Sequence, residues 1–256
     1  MRIIRYQGRD GPAWGVADAA DRVRSVGTDP FTDHDLGPDV GALGDFELLP
    51  PATPSKVICV GRNYRAHAAE FDSPVPAEPL LFLKPPSSII GPGAAIHYPS
   101  LSKRVDPEAE LALIIGREAH RMPASRAMEV IGGYTCANDV TARDIQKADP
   151  QWTRGKGFDT FCPVGPWIET DLDPNDLRVT CTVEGERRQD GRTKDLIFPI
   201  PYPIEYISRF TRLLPGDLIL TDTPDGVVAM TAGQTVVVEV EGVGRLANPV
   251  VDEPAI

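Results

Sequence analysis

The run Asp106-Pro-Glu-Ala-Glu-Leu-Ala-Leu-Ile-Ile-Gly116 constrains the fold more than any other stretch, because two acids stand at the start of an otherwise apolar strand. A β-strand turns successive side chains to opposite faces, so Glu108 and Glu110 point the same way. Ala109, Leu111, Leu113 and Ile115 take the other face, while Ala112 and Ile114 continue the acids' own face in apolar form. Both carboxylates therefore border buried surface, where like charges repel unless something positive lies between them. A hard divalent cation meets that need, and Asp139 in Ala137-Asn-Asp-Val-Thr-Ala-Arg-Asp144 is the candidate third oxygen ligand. The competing reading is a solvated acidic pair, which strand starts often carry.

With 256 residues, the chain is long enough for one large domain, or for a domain with a small appendage. No apolar run approaches the ~20 residues that span a bilayer, and Met1-Arg-Ile-Ile-Arg5 lacks the pattern of a leader, so the cytoplasm is the expected compartment. The net charge of -11 argues against nucleic acid or a membrane as partner. Cys59, Cys136, Cys162 and Cys181 are widely spaced and form no Cys-x-x-Cys pair, so they read as buried small hydrophobes.

Alternation and turn residues divide the chain. Arg2–Tyr6, Ala13–Ala17 and Arg22–Val26 read as a short β-meander, followed to Ser55 by a stretch dense in Pro, Gly and Asp in which Phe46–Leu49 is a possible strand. This places a small N-terminal β subdomain and linker at residues 1–55 and the main domain at 56–256. Within the latter, Lys56–Val60 reads as a buried strand, Asn63–Glu70 as a helix, Asp72–Pro79 as a Pro-rich loop and Leu80–Leu83 as a strand. Ser125–Ile131 is expected to be helical and to end at Gly132-Gly133 before a strand at Tyr134–Ala137. Leu177, Val179, Cys181 and Val183 alternate with polar residues up to a turn at Glu184-Gly185. A helix over Ile204–Leu214 and strands at Asp217–Thr221 and Thr235–Val240 complete a mixed α/β, predominantly β chain.

Two further groups suit chemistry. His67 and Glu70 share a helix face three residues apart, so the carboxylate can orient an imidazole that acts as a general base; such pairs are also common on surfaces. Arg143 and Lys156 suit a carboxylate or enolate oxygen, and Gln146 offers a neutral donor. Gly155 and Gly157 beside Lys156 permit close approach of backbone and ligand.

Taken in order, Gly61-Arg-Asn-Tyr-x-x-His67-x-x-Glu70, Phe82-Leu-Lys-Pro-Pro-Ser87 with Gly91-Pro-Gly93, Glu108-x-Glu110, Asn138-Asp-Val-Thr-Ala-Arg-Asp144, Lys156-Gly-Phe-Asp-Thr160 and Pro215-Gly-Asp217 resemble the fumarylacetoacetate hydrolase family over roughly residues 56 to 250. The resemblance implies a β-roll core, usually a homodimer, and Mg²⁺ or Mn²⁺ held by Glu108, Glu110 and Asp139. It implies that His67 and Glu70 form a catalytic dyad on a segment that orders over the site, with Lys156 catalytic. Arg143, Gln146 and Thr223 would contact the substrate. One departure stands out: Thr221-Asp-Thr-Pro224 carries Asp222 where the family usually has glycine, and Val227-Val228 replaces Val-Gly.

The implied partner is a small 2-oxo acid that chelates the metal through its carboxylate and keto oxygens. The residues favour C–C bond hydrolysis of an acylpyruvate-like diketo acid, with His67 activating water and a pyruvate enolate leaving on the metal. Decarboxylation of oxaloacetate type and isomerisation of 2-hydroxyhepta-2,4-diene-1,7-dioate type need the same enolate. A metal-dependent oxo-acid-binding protein without turnover is the alternative outside enzymes.

Overall fold

A computed structural model describes residues 1–31, 35–71 and 74–254. Asp72 and Ser73, which open the expected Pro-rich loop, lie outside the described residues. Among the described residues, an eleven-stranded sheet runs from Asp39–Ala42 through Arg22–Ser25, Gly11–Ala17, Arg2–Gly8, Cys162–Glu169, Ile131–Asn138, Ala109–Ile115, Leu218–Leu220 and Val57–Gly61 to Leu80–Lys84, with Ile89–Ile90 joined beside Cys162. Neighbours on this path are antiparallel except Leu218–Leu220 and Val57–Gly61. A second, five-stranded sheet carries Glu186–Arg192, Arg178–Val183, Thr235–Val240, Gly244–Asp252 and Ile96–Tyr98 in that order. The chain is predominantly β, as its alternation indicates.

The acid-led strand is central. Its residues Leu111, Leu113 and Ile115 pack with Val179, Cys181, Val236 and Val238 of the second sheet. Ala112 and Ile114 pack on the opposite face with Val57, Cys59, Leu218 and Leu220. Each fully buried Leu or Ile contributes roughly 1.5–3 kcal/mol, so the strand is held from both sides and its register cannot slip without turning apolar side chains onto the acids' positions.

Several boundaries differ from those read in the sequence. The expected helix over Ser125–Ile131 is a 3₁₀ helix, Ala124–Val130, and the following strand begins at Ile131 with both glycines inside it. Close packing explains their place: a Cβ on Gly132 would come 2.8 Å from the Cα of Gly116. The possible strand at Phe46–Leu49 reduces to one bridge between Leu48 and Tyr6, and the fourth strand is Asp39–Ala42. The expected Ile204–Leu214 helix is Pro201–Ser208, because the Ser208 carbonyl accepts the Arg121 N–H at 2.7 Å and leaves the helical ladder. The helix expected from Asn63 begins at Arg65. Asn63 instead donates through Nδ2 to the carbonyls of Phe198 and Thr221 and accepts the Phe198 N–H. No helix among the described residues is long and apolar enough to cross a membrane.

Candidate functional site

Strand pairing assembles the acidic group. Ala109 lies opposite Asn138, so the residues next to them, Glu108 and Asp139, emerge side by side, and the Asp139 N–H donates to the Glu108 carbonyl at 2.9 Å. Glu110 sits two residues along on the same face. One carboxylate oxygen from each of Glu108, Glu110 and Asp139 lies within 4.8 Å of the others, and all three residues are buried.

Buried cations surround this group. The Lys156 ammonium donates at 2.6 Å to both Glu108 Oε2 and Asp139 Oδ2. Lys84 donates at 2.5 Å to Asp139 Oδ1 and at 3.1 Å to the Val140 carbonyl. Arg143 donates through Nη2 to Glu108 at 2.5 Å, through Nε to Asp106 at 2.9 Å, and through Nη1 to Gln146 Oε1 at 2.8 Å. Burial alone would raise the Glu108 carboxyl, but Lys156 and Arg143 outweigh it and hold that group well below the usual range. Glu110 behaves in the opposite way, because burial and the charges of Asp139, Asp222 and Glu108 push its carboxyl well up. Lys84, Lys156 and Arg143 contact Glu108 and Asp139, whereas Glu110 accepts the Asp222 N–H and lies among carboxylates. Three hard oxygen donors, buried and still repelling one another, fit a hard divalent cation.

Gly155 and Gly157 serve protein packing at this point. A Cβ on Gly155 would lie 2.9 Å from the Gln146 backbone, and one on Gly157 would lie 2.5 Å from the Thr153 carbonyl. The Thr153–Lys156 helix can therefore sit close enough to bring the ammonium to the acids.

A cavity of about 630 Å³ opens beside the acids, and His67, Glu70, Glu108, Asp139, Arg143, Gln146 and Lys156 all line it. His67 Nδ1 lies 3.2 Å from Glu70 Oε2, while Glu70 Oε1 accepts the Gly226 N–H at 3.2 Å. Burial opposes a charged His67 ring, yet the Glu70 hydrogen bond and the charges of Glu108 and Asp222 raise its pKa above the ordinary value. Phe71 packs edge-on against the imidazole and beneath the Arg143 guanidinium.

Two of the expected residues stand behind this lining. Glu110 lies under it as the third acid. Thr223 is fully buried, its hydroxyl donating to the Ala109 carbonyl and accepting from Gln189 Nε2. Lys84 and Asp222 belong to the site although nothing in the spacing assigned them a task. Lys84 lies in a quoted motif, Phe82-Leu-Lys, and an isolated lysine ahead of two prolines is the available signal.

A carboxylate triad ringed by buried cations thus faces a cavity with a His–Glu pair on a mixed-β scaffold, an arrangement able to hold a metal. The profile described as "Fumarylacetoacetate (FAA) hydrolase C-terminal" matches residues 56–251, and one described as "Rv2993c-like, N-terminal" matches residues 1–51, so the chain belongs to the fumarylacetoacetate hydrolase family. It is 46% identical to a Mycobacterium smegmatis structure named 5-carboxymethyl-2-hydroxymuconate delta-isomerase, at TM-score 0.91 over 99% of this chain and 100% of that one. Oxaloacetate tautomerase FAHD2A, mitochondrial, from Homo sapiens is 43% identical over 80% of this chain and 69% of its own length. A fumarylpyruvate hydrolase from Pseudomonas aeruginosa, solved in complex with Mn²⁺ and pyruvate, is 33% identical at TM-score 0.75 over 81% and 92% of the two chains.

Proposed function

We propose that this chain is a Mg²⁺- or Mn²⁺-dependent enzyme that relocates a proton on a small 2-oxo acid, in a keto–enol tautomerisation or an isomerisation of a 2-hydroxy-diene acid. One observation carries the reading: His67, backed by Glu70, lines the same cavity as Glu108, Asp139 and Lys156. Glu108, Glu110 and Asp139 would hold the ion, which when bound supplies a Lewis acid for the carboxylate and keto oxygens. Arg143 and Lys156 offset the substrate's negative charge at the cavity floor. His67 then takes the proton from the carbon beside the keto group and returns it to the new position, and Glu70 stabilises the imidazolium between the two transfers. The tautomerase and isomerase relatives support this reading.

Hydrolysis of an acylpyruvate-like C–C bond is the second reading. The same dyad favours it, since a histidine backed by a carboxylate also deprotonates water, and the fumarylpyruvate hydrolase relative supports it. The working unit we propose is a cytoplasmic homodimer, expected in solution at about twice the 27.7 kDa of the chain by light scattering.

The deciding experiment adds enol-oxaloacetate, acetylpyruvate and fumarylpyruvate separately to the protein with Mg²⁺, Mn²⁺ or chelator. Loss of enol absorbance and release of pyruvate are followed together. Metal-dependent enol loss without pyruvate supports proton relocation. Pyruvate from an acylpyruvate supports hydrolysis, and pyruvate from oxaloacetate alone marks a decarboxylase. Metal-dependent binding of oxalate with no turnover of any substrate would sink both readings in favour of a binding protein.

A further inference from the structure

Asp222 is held in a backbone conformation, φ +88°, that costs an L-residue strain and a glycine nothing. Its neighbours explain the site of that strain. Thr221 and Thr223 donate their hydroxyls to the carbonyls of Leu111 and Ala109, which fastens the segment along the acid-led strand. Between them the Asp222 N–H donates to Glu110 Oε2 at 2.7 Å. The Asp222 carboxylate reaches the other way. Oδ2 accepts the N–H groups of Asn63 at 2.5 Å and Tyr64 at 2.9 Å, immediately before the helix Arg65–Glu70 that carries His67 and Glu70. That helix has no side-chain cap of its own. One Asp222 oxygen thus serves, from across the chain, as acceptor for two donors at the helix entry, where backbone N–H groups lack helical partners.

We infer that Asp222 is a positioning residue: through one residue it ties the segment bearing the His67–Glu70 pair to the carboxylate Glu110. A small side chain at position 222 would leave the same backbone turn intact but cut that tie. The inference rests on the proposed proton-transfer role of His67, and it concerns placement of the imidazole over the acids rather than contact with substrate.

The test compares Asp222→Gly, which suits the φ and removes the acceptor, with Asp222→Asn, which keeps an acceptor oxygen in the same position. In the glycine variant, hydrogen exchange at the Asn63 and Tyr64 amides is expected to speed up by about tenfold, the consequence of one lost buried hydrogen bond. The kcat for the accepted 2-oxo acid is expected to fall roughly tenfold to a hundredfold, as small misplacements of a reacting group do, with KM nearly unchanged. Mn²⁺ affinity by calorimetry should stay close to that of the unaltered protein, because the N–H to Glu110 remains. Asp222→Asn should restore both exchange protection and most of kcat. Unchanged exchange in the glycine variant overturns the inference, and so does faster exchange with kcat within about twofold of the unaltered protein, far short of a misplaced catalytic group. If the unaltered protein consumes no 2-oxo acid, the proposed function falls, and the exchange comparison alone upholds or overturns the anchoring.

Discussion

At the scale of single residues, Glu110 has two competing effects that one substitution separates. Its carboxyl is pushed up because it is buried among Asp139, Asp222 and Glu108. A group whose folded pKa is raised keeps its proton after the unfolded chain has lost it. Without metal, the protein's stability therefore falls as pH rises above the ordinary value of 4.5 and through the raised one. Glu110→Gln removes the charge and keeps the shape. In chelator the variant is expected to be more stable than the parent by roughly 1 kcal/mol at neutral pH, an advantage that vanishes toward pH 4. Its Mn²⁺ affinity should drop by about a hundredfold or more, since it loses a ligand itself. Thermal unfolding against pH and calorimetric titration check the two halves, and an unchanged Mn²⁺ affinity would remove Glu110 from the ion site. The thiols give a simpler expectation. Burial pushes Cys136, Cys162 and Cys181 up to about 12 and Cys59 well up, so all four should resist alkylation at neutral pH until the protein is denatured. Acids two apart on a strand, and His and Glu three apart on a helix, were legible in the sequence because their spacing is local. Lys84 and Asp222 were not, since their partners Asp139, Asn63 and Tyr64 lie 55 or more residues away.

Elements were legible where one rule governed them. The strand Arg178–Val183 follows alternation and ends in a two-residue turn at Glu184-Gly185, both in the left-handed region that such a hairpin requires, whereas its return, Glu186–Arg192, carries no apolar side chain and was not marked by alternation. The segment after Pro123 misleads because two demands compete. Its apolar spacing suits a helix, but Ile131–Asn138 must begin early to pair with both Ala109–Ile115 and Cys162–Glu169. Glycines 132 and 133 read as a helix stop for the same reason that they work within a strand: each lets another chain segment come close. At Gly133, with φ +154°, an added Cβ would lie 2.3 Å from Ile168 Cγ2 and 2.8 Å from the Glu169 carbonyl. Gly133→Ala is accordingly expected to cost about 1–3 kcal/mol, as overpacking of a filled core does. Chemical denaturation measures it, and a loss under about 0.5 kcal/mol, the range of an unconstrained surface change, would mean that the strands can part without penalty.

At the scale of the whole molecule, the long-range pairings are what local patterns could not supply. Leu218–Leu220 runs parallel to Val57–Gly61 although some 160 residues separate them, and neither strand's composition names the other as partner. The same holds for the N-terminal strands, which continue the main sheet: Arg2 and Ile3 pair with Glu169 and Ile168. Ile3 packs in the same core cluster as Val164 and Ile168, the Met1 amino group contacts Glu169 at 2.6 Å, and the Arg2 guanidinium lies over Trp167. Removal of residues 1–51 therefore takes the outer neighbour from the Ile168–Glu169 end of the strand Cys162–Glu169 and leaves unpaired backbone beside apolar side chains, while Cys162 and Pro163 keep their pairing with Ile89 and Ile90. Burial of Ile3, Val16 and their neighbours is lost with it, at roughly 1.5–3 kcal/mol for each large apolar side chain. The shortened chain is expected to unfold at a clearly lower temperature and to associate at micromolar concentration, seen by light scattering. Because Glu110 sits on an inner strand of the sheet and Glu108 and Asp139 adjoin the ends of two inner strands, Mn²⁺ binding should survive in whatever fraction stays folded. A monodisperse truncated chain with unaltered unfolding temperature would show instead that the N-terminal strands are an addition on which the main sheet does not depend.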